Sequence, residues 1–140
     1  MVIIGSPVYH SYPTGMMRSF LERFMFPAHT YMLDKENGGL KRVLNHTLPT
    51  ALIFTMNANE EQFKQHHYDV ILGDNEANLR AVFGYCETLY AFDTFQYTDY
   101  AKYDCDLFDA EHKTKMRDEQ FPKDLEKAYE LGKKFATMTK

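Results

Sequence analysis

Apolar runs alternate with polar, turn-rich segments along this chain, and their order predicts strands separated by helices. Residues 2–5 form a short, branched apolar run of the kind that is buried on both faces of a parallel sheet. Residues 6–13 predict a loop at the carboxyl end of this strand, and residues 14–26 have the pattern of a helix. Because ligands of open α/β sheets bind outside the carboxyl ends of strands, this loop is the first candidate for a functional site.

Two later segments predict further strands. Residues 50–57 follow Pro49, contain a continuous apolar stretch and end in a polar loop at residues 56–59. Residues 87–97 are less apolar, because Thr, Asp and Gln are interspersed among the aromatic residues. This composition is expected of an edge strand with one side in water.

Helices are predicted between and after these strands. One is expected over residues 74–85, with Gly73 as the stop of the preceding segment and Asp74 as the N-cap. The conformation of residues 60–72 stays open, since they are polar but place apolar side chains on one helical face, and a helical turn is expected near residues 111–117. Pro122 opens a final helix, where its missing N–H group has no cost. We expect this helix to bury one apolar stripe, made of Leu125, Ala128, Tyr129, Gly132, Phe135 and Ala136.

The alternation of strands and helices predicts an α/β fold with parallel strands joined by right-handed crossovers. A chain of 140 residues suits a single domain, residues 1–140. A strand as apolar as residues 2–5 normally lies inside a sheet, yet it follows Met1 directly. We therefore expect its neighbouring strand to be absent or supplied by another chain.

Composition argues against several function classes. The formal net charge of −4 gives no electrostatic reason to expect nucleic acid or an anionic membrane as a partner. No apolar run approaches the roughly 20 residues that span a bilayer, and no signal-peptide pattern is present, so a cytoplasmic location is expected. The spacing of Cys86 and Cys105 fits neither a metal site nor a redox motif. The 10 Tyr and 11 Phe suit a core, a subunit interface or a flat ring-shaped ligand.

Two segments carry a family resemblance. Residues 6–9 (SPVY), followed by residues 15–24 (GMMRSFLERF), resemble the third strand, flavin loop and third helix of the flavodoxin-like NAD(P)H-dependent FMN reductases. The branch related to iron–sulfur flavoproteins and multimeric flavodoxins matches best. Residues 48–55 resemble the fourth strand of that family. Residues 83–84 and 121–134 resemble the start of its last strand and its last helix. The resemblance implies a flavodoxin-like three-layer α/β/α fold with a parallel sheet, truncated at the N-terminus to three of the usual five strands.

The resemblance also implies a ligand and its contacts. FMN would be the cofactor, NAD(P)H the hydride donor, and the flavin ring would meet two loops. Tyr9 and His10 would stack on the ring or bond to it, and Asn57 would reach a ring edge. The cofactor-binding residues expected from the resemblance are Ser6, Pro7, Val8, Tyr9, His10, Ser11, Thr55, Met56, Asn57 and Ala58. The same residues also suit ordinary strand–helix loops of an α/β domain.

The chain departs from the family at the phosphate site. In that family the loop after the first strand holds the FMN phosphate with backbone N–H groups and a helix N-terminus. This phosphate-binding loop has no counterpart here, and neither G-x-G-x-x-G nor G-x-x-x-x-G-K-[ST] occurs. Two scattered cysteines cannot ligate an iron–sulfur cluster. The resemblance therefore covers the fold of the second half and the ring-facing loops only.

Three hypotheses follow. The chain is an FMN-dependent oxidoreductase or a remnant of one. Alternatively, it is a non-catalytic half-flavodoxin interaction module that oligomerises through its N-terminal strand, either with itself or with a complementing upstream polypeptide. A third possibility is a truncated product of an intact reductase.

Other motifs give weaker functional signals. His66 and His67 are adjacent and point apart, residues 104–109 lack the EF-hand glycine, and no hydrolase triad has recognisable spacing.

Overall fold

The computed structural model describes residues 1–138 and shows a mixed α/β fold around one sheet. Within these residues the sheet has four strands in the order β2-β1-β3-β4. The three long strands run parallel, as the sequence predicts, whereas β2 pairs antiparallel with the end of β1. The strands are β1 (Val2–Tyr9), β2 (Tyr12–Pro13), β3 (Leu48–Thr55) and β4 (Gly84–Ala91).

Helices cover both faces of this sheet. On one face, α1 and α3 pack against Leu52, Phe54 and Cys86. On the other face, α5 packs Leu131 and Phe135 against Ala51. The helices are α1 (Gly15–Met25), α2 (Glu60–Gln65), α3 (Tyr68–Phe83), α4 (Ala110–Glu119) and α5 (Phe121–Met138).

The predicted first helix is confirmed, and its start is fixed by two hydroxyl groups. Thr14 is the N-cap of α1, and its Oγ1 accepts from the backbone N–H of Met17 at 3.3 Å. The buried Ser6 Oγ accepts from the backbone N–H of Thr14 at 3.1 Å. The carboxyl half of β1 is thereby bonded to the beginning of α1.

The prediction that residues 6–13 form a loop is wrong, because the first strand continues to Tyr9. The chain then reverses in a two-residue hairpin, in which Tyr9 pairs with Tyr12. His10 and Ser11 both have positive φ angles, 48° and 74°. Two such residues match the backbone twist of paired strands. Because glycine and asparagine are absent from these positions, the sequence contains no strong hairpin signal.

The predicted bounds of the other two long strands are also wrong. Pro49 lies inside β3 rather than before it, and β4 begins at Gly84 and ends at Ala91. Residues 92–97 therefore lie beyond β4, not within it. The strand begins early because Gly84 adopts a φ of 92°, ends α3 and leads directly into the sheet.

Gly73 and Asp74 do not separate two segments, contrary to the prediction. Both lie inside α3, which runs without a break from Tyr68 to Phe83. Leu72 and Asn75 are buried on either side of them, and the Asn75 side chain donates to the Leu72 carbonyl at 3.2 Å. Tertiary packing thus outweighs the helix-breaking tendency of one glycine, about 1 kcal/mol.

The apolar stripe predicted for the last helix is buried only in part. Phe135 is buried as expected, together with Leu131, which the predicted stripe omitted. Leu125 and Tyr129 are 56% and 63% exposed. The prediction fails there because α5 contacts the sheet through Leu131 and Phe135, which lie on another side of the helix from Leu125 and Tyr129.

The end of α3 is held by Arg42. Its Nη2 donates to the carbonyls of Phe83 at 2.9 Å and His46 at 2.7 Å, so the guanidinium satisfies a carbonyl that the helix leaves unpaired. A Cβ atom added to Gly84 would lie 2.5 Å from Arg42 Nη1. Gly84 therefore has a left-handed backbone and also lies too close to the Arg42 guanidinium to leave room for a Cβ atom.

We expect Gly84→Ala to lower the free energy of unfolding by about 2 kcal/mol, because alanine is strained at this φ and displaces the arginine. Gly73→Ala is the matched control. Its Cβ would meet nothing within 4 Å, so the change should raise the unfolding free energy by up to about 1 kcal/mol. Urea unfolding measures both. Effects of the same sign would contradict the assigned role of Gly84.

Candidate functional site

A cleft of about 430 Å³ opens at the carboxyl ends of β3 and β4. One wall comes from the loop after β3 together with α2 and the start of α3. The opposite wall comes from the segment after β4 and the first turn of α4. The lining residues are Asn57, Ala58, Asn59, Gln62, His66, Tyr68, Asp93, Leu107, Phe108, Asp109, His112 and Lys113.

A buried ion pair lies in the floor of this cleft. Lys113 and Asp93 are only 4% and 7% exposed, and the ammonium donates to Asp93 Oδ1. It also donates to Asn57 O at 3.0 Å and to Asn57 Oδ1 at 2.8 Å. An ammonium has three N–H donors, so all three are satisfied. One side chain of α4 thereby joins the loops that follow β3 and β4.

Backbone pairing continues past the sheet and positions the carboxylate. Met56 N donates to Ala91 O at 2.9 Å, Thr94 N to Met56 O at 3.0 Å, and Asp93 N to Ala58 O at 3.0 Å. Asp93 itself has a φ of 57°. Aspartate tolerates this left-handed conformation better than most residues, although it still carries strain. The fold accepts this strain at the residue that pairs with Lys113.

His112 lies beside the ion pair at the cleft surface. Its Nε2 is 2.5 Å from Asp93 Oδ2, and half of its side chain is exposed. Asp109 is the N-cap of α4, where its Oδ1 accepts from the backbone N–H groups of Glu111 at 2.9 Å and His112 at 3.0 Å. This cap begins the helix at the point that brings His112 and Lys113 together on Asp93.

The Asp93 carboxylate is held in its charged form. Burial raises the pKa of Asp93, but the hydrogen bonds from Lys113 and His112 outweigh burial and keep the pKa below its ordinary value of 3.8. The cleft floor therefore contains a neutralised pair at neutral pH rather than a free ammonium.

The walls combine aromatic faces with neutral polar groups. Phe108 lies 5.7 Å from Lys113 Nζ, measured to the ring centroid, and Tyr68 forms a tilted ring pair with His66 at 5.7 Å. Asn57 Nδ2 is buried and, within residues 1–138, has no hydrogen-bond partner. An unpaired buried donor costs about 1–3 kcal/mol, so it marks a place where an acceptor would be stabilising.

The ten residues expected to contact a flavin lie toward the carboxyl ends of β1 and β3, but not all of them line this cleft. Pro7 pairs with Thr55, so the ends of β1 and β3 lie side by side. Asn57 and Ala58 line the cleft, whereas Met56 is buried beneath it. Ser6, Pro7, Val8 and Tyr9 belong to β1, and His10 and Ser11 form its hairpin.

Sequence reasoning missed Asp93, His112 and Lys113. Asp93 was assigned to the interior of a strand, and the true end of β4 at Ala91 places it two residues beyond the carboxyl end. That position is where a site residue is expected in a parallel sheet. Lys113 carried no signal, because it lies in a polar helix where a buried lysine is not expected.

Neither a cluster of metal-ligating side chains nor a membrane-spanning helix occurs in the described part of the chain. Within residues 1–138, no three side chains of His, Cys, Asp or Glu are close enough to hold a metal ion together. None of the helices there combines the length and apolar character needed to cross a bilayer.

Comparison with known proteins adds no relative: no family model matches the chain, and neither does any curated protein or solved structure.

We expect Asp93→Asn to lower the free energy of unfolding by about 3 kcal/mol at pH 7, because it leaves the Lys113 ammonium buried without a counter-charge. The control is Glu130→Gln, which breaks an exposed ion pair with Lys133 and should cost less than about 0.5 kcal/mol. Urea unfolding of the three proteins measures the difference.

The pH dependence tests the same pair. The folded-state pKa of Asp93 is depressed, so its contribution is present above the unfolded pKa and is lost as the pH falls through the folded value, below the ordinary 3.8. The stability gap between the parent chain and Asp93→Asn should therefore shrink between pH 5 and pH 2. A gap that stayed constant over this range would contradict the assignment.

Proposed function

We propose that this chain is a flavodoxin-like α/β domain that binds the planar ring of a flavin and takes part in oxidoreductase chemistry. The observation that carries the proposal is the position of the cleft, which opens at the carboxyl ends of two adjacent parallel strands and includes Asn57 and Ala58. In open α/β sheets this is where ligands bind. The identification of the ligand as a flavin rests on the sequence resemblance.

The flavodoxin-like three-layer architecture is part of the proposal. Its support is the order β1-β3-β4 in a parallel sheet, with α1 and α3 on one face and α5 on the other. The same order is expected for the third, fourth and fifth strands of a flavodoxin-like sheet.

A flavin ring fits the cleft in size and chemistry. The cleft has a volume of about 430 Å³, which lies within the range of roughly 300–1,000 Å³ that is usual for small-molecule sites. Tyr68 and Phe108 offer flat apolar surfaces, and Asn59 and Gln62 offer neutral polar groups for a ring edge. A flavin supplies hydride transfer when bound, and the protein's part is to bind and orient the ring.

The cationic side chain and one helix start of this cleft are already bonded within the chain. The ammonium of Lys113 has all three N–H groups bonded, and Asp109 Oδ1 accepts from the N–H groups of Glu111 and His112 at the start of α4. The proposal is therefore limited to the ring, and the residues of this chain are assigned binding and positioning roles only.

Ring binding is tested by titrating riboflavin while following the quenching of its fluorescence. Phe108→Ala should weaken saturable binding by about 1–2 kcal/mol through lost stacking area. Tyr9→Ala is the control that distinguishes the two predicted loops, because Tyr9 does not line the cleft. We expect the Tyr9→Ala variant to bind riboflavin as tightly as the parent chain does. If Tyr9→Ala weakened binding and Phe108→Ala did not, the ring would belong to the hairpin instead.

A second candidate function, an interaction module, is favoured by the open edge of β1. Only Val8 and Tyr9 of this strand pair with β2, so within the described residues the rest of that edge has no neighbour. Ile3 is 44% exposed and lies on the same face of the sheet as Ala51, which is the face that α5 covers. An unpaired apolar edge promotes strand addition.

The occupant we propose for this edge is a second copy of the chain. Two identical edges are complementary to each other when they pair antiparallel about a two-fold axis. The exposed Leu125 and Tyr129 belong to α5, which packs on the same side of the sheet as Ile3.

We expect the chain to form a dimer in light scattering coupled to size exclusion, and Ile3→Lys to reduce its association constant at least tenfold, because a charge enters the seam. Val70→Lys is the control, since Val70 is an exposed apolar residue on α3. That variant should remain dimeric. A monomeric parent chain, or a dimer that survives Ile3→Lys unchanged, would exclude β1 as the seam.

A further inference from the structure

We infer that the cleft selects a ring ligand without a phosphate group over the same ligand carrying one. This inference rests on the proposed function, because it presupposes that the ring binds between the walls of the cleft. It names the chemical class of the ligand, an uncharged flavin such as riboflavin. It also runs against the FMN expected from the sequence resemblance.

Side chains of the protein bond to backbone N–H groups at two of the three helix starts beside the cleft. At the start of α4, Asp109 Oδ1 accepts from the N–H groups of Glu111 and His112. At the start of α2, Asn59 Oδ1 accepts from the N–H of Gln62 at 2.8 Å, while Gln62 Oε1 accepts from the N–H of Asn59 at 3.0 Å. The start of α3 has no side-chain cap, but its first turn carries the negative charge of Asp69.

The ammonium in the cleft is not free to bind an anion either. Lys113 directs its three N–H groups to Asp93 and to two oxygens of Asn57. A phosphate would have to replace one of these acceptors and leave a buried carboxylate or carbonyl unpaired. Breaking a buried ion pair is strongly unfavourable, so this exchange does not favour phosphate.

The formal charge of the cleft opposes a phosphate dianion. Its lining contains two carboxylates, Asp93 and Asp109, against the single ammonium of Lys113, besides the imidazoles of His66 and His112. Glu61 adds negative charge in the first turn of α2, where Glu60 is paired with Lys64. Repulsion between these carboxylates and a bound phosphate would be appreciable at low salt and screened at high salt.

The neutral donors of the cleft suit the carbonyl edge of an uncharged ring. Asn59 and Gln62 line the wall with side-chain amides whose oxygens are bonded within the cap of α2, and Asn57 holds a buried donor that has no partner within residues 1–138. The carbonyl groups of a flavin accept from such N–H groups and add no charge. The chemistry of the lining therefore favours the ring and disfavours the phosphate.

The experiment compares riboflavin with FMN, which differ only in the phosphate. Both are titrated at pH 8, where an ordinary imidazole is uncharged, in 50 mM and in 500 mM NaCl, with fluorescence quenching as the readout. We expect the Kd of FMN to be at least about tenfold higher than that of riboflavin at low salt. The ratio should fall toward one at high salt.

Asp109→Asn tests the source of the selectivity. Asparagine caps a helix as well as aspartate does, so α4 should form while one carboxylate is removed from the cleft. The ratio of the FMN Kd to the riboflavin Kd should fall several-fold. Asp118→Asn makes the same change on the same helix outside the lining and should leave the ratio as in the parent chain.

The outcomes separate the two proposals. FMN binding as tight as riboflavin, or tighter, would overturn the selectivity and leave the ring proposal standing. A tenfold preference for riboflavin that Asp109→Asn reduces would support both. If riboflavin caused no saturable quenching, the proposed function would fail, and the selectivity with it.

Discussion

The structure around the cleft depends on one buried ammonium and the three oxygens that surround it. Lys113 is taken out of water, which is unfavourable unless a counter-charge and further acceptors replace the lost hydration. Asp93 provides the counter-charge, and Asn57 provides the other two acceptors. Because these partners follow different strands and the lysine lies on α4, a single side chain attaches α4 to two segments that backbone hydrogen bonds already join to each other. α4 is polar, so burial of apolar surface contributes little to holding it there.

The same pair determines what the cleft can bind. A lysine with an unused N–H group would attract anions, but this lysine has none to offer, and the nearest helix end is capped by Asp109. The arrangement that stabilises the fold therefore removes the positive charge from the ligand's surroundings. What remains for recognition is aromatic surface, neutral amides, the imidazoles of His66 and His112 and the carboxylate of Asp109. Stability and selectivity are here two consequences of one interaction, so substitutions in the pair are expected to affect both.

The order of the three long strands, their parallel sheet and the first helix could be predicted from the sequence, because their signals are local: branched apolar runs, and Thr14 before an amphipathic segment. The site could be predicted only in part. Asn57 was named because the family resemblance implies a ring-facing loop after β3, whereas Asp93 was missed because aromatic residues beyond β4 imitate a continuing strand. Lys113 was missed because burial of a charge depends on partners 20 and 56 residues away, and no local pattern reports such contacts.

Ligand binding and self-association need not compete in this fold. Among the described residues, the lining of the cleft comes from the segments after β3 and β4, and none of it belongs to β1. The open edge lies on the other side of β1 from β3. A strand added there would extend the sheet without entering the cleft. The one connection between them is β3, which pairs with β1 along one side and leads into Asn57 at its end. Any influence of association on the ligand would therefore have to pass through the position of β3, which has five of its eight residues buried and packs side chains on both faces.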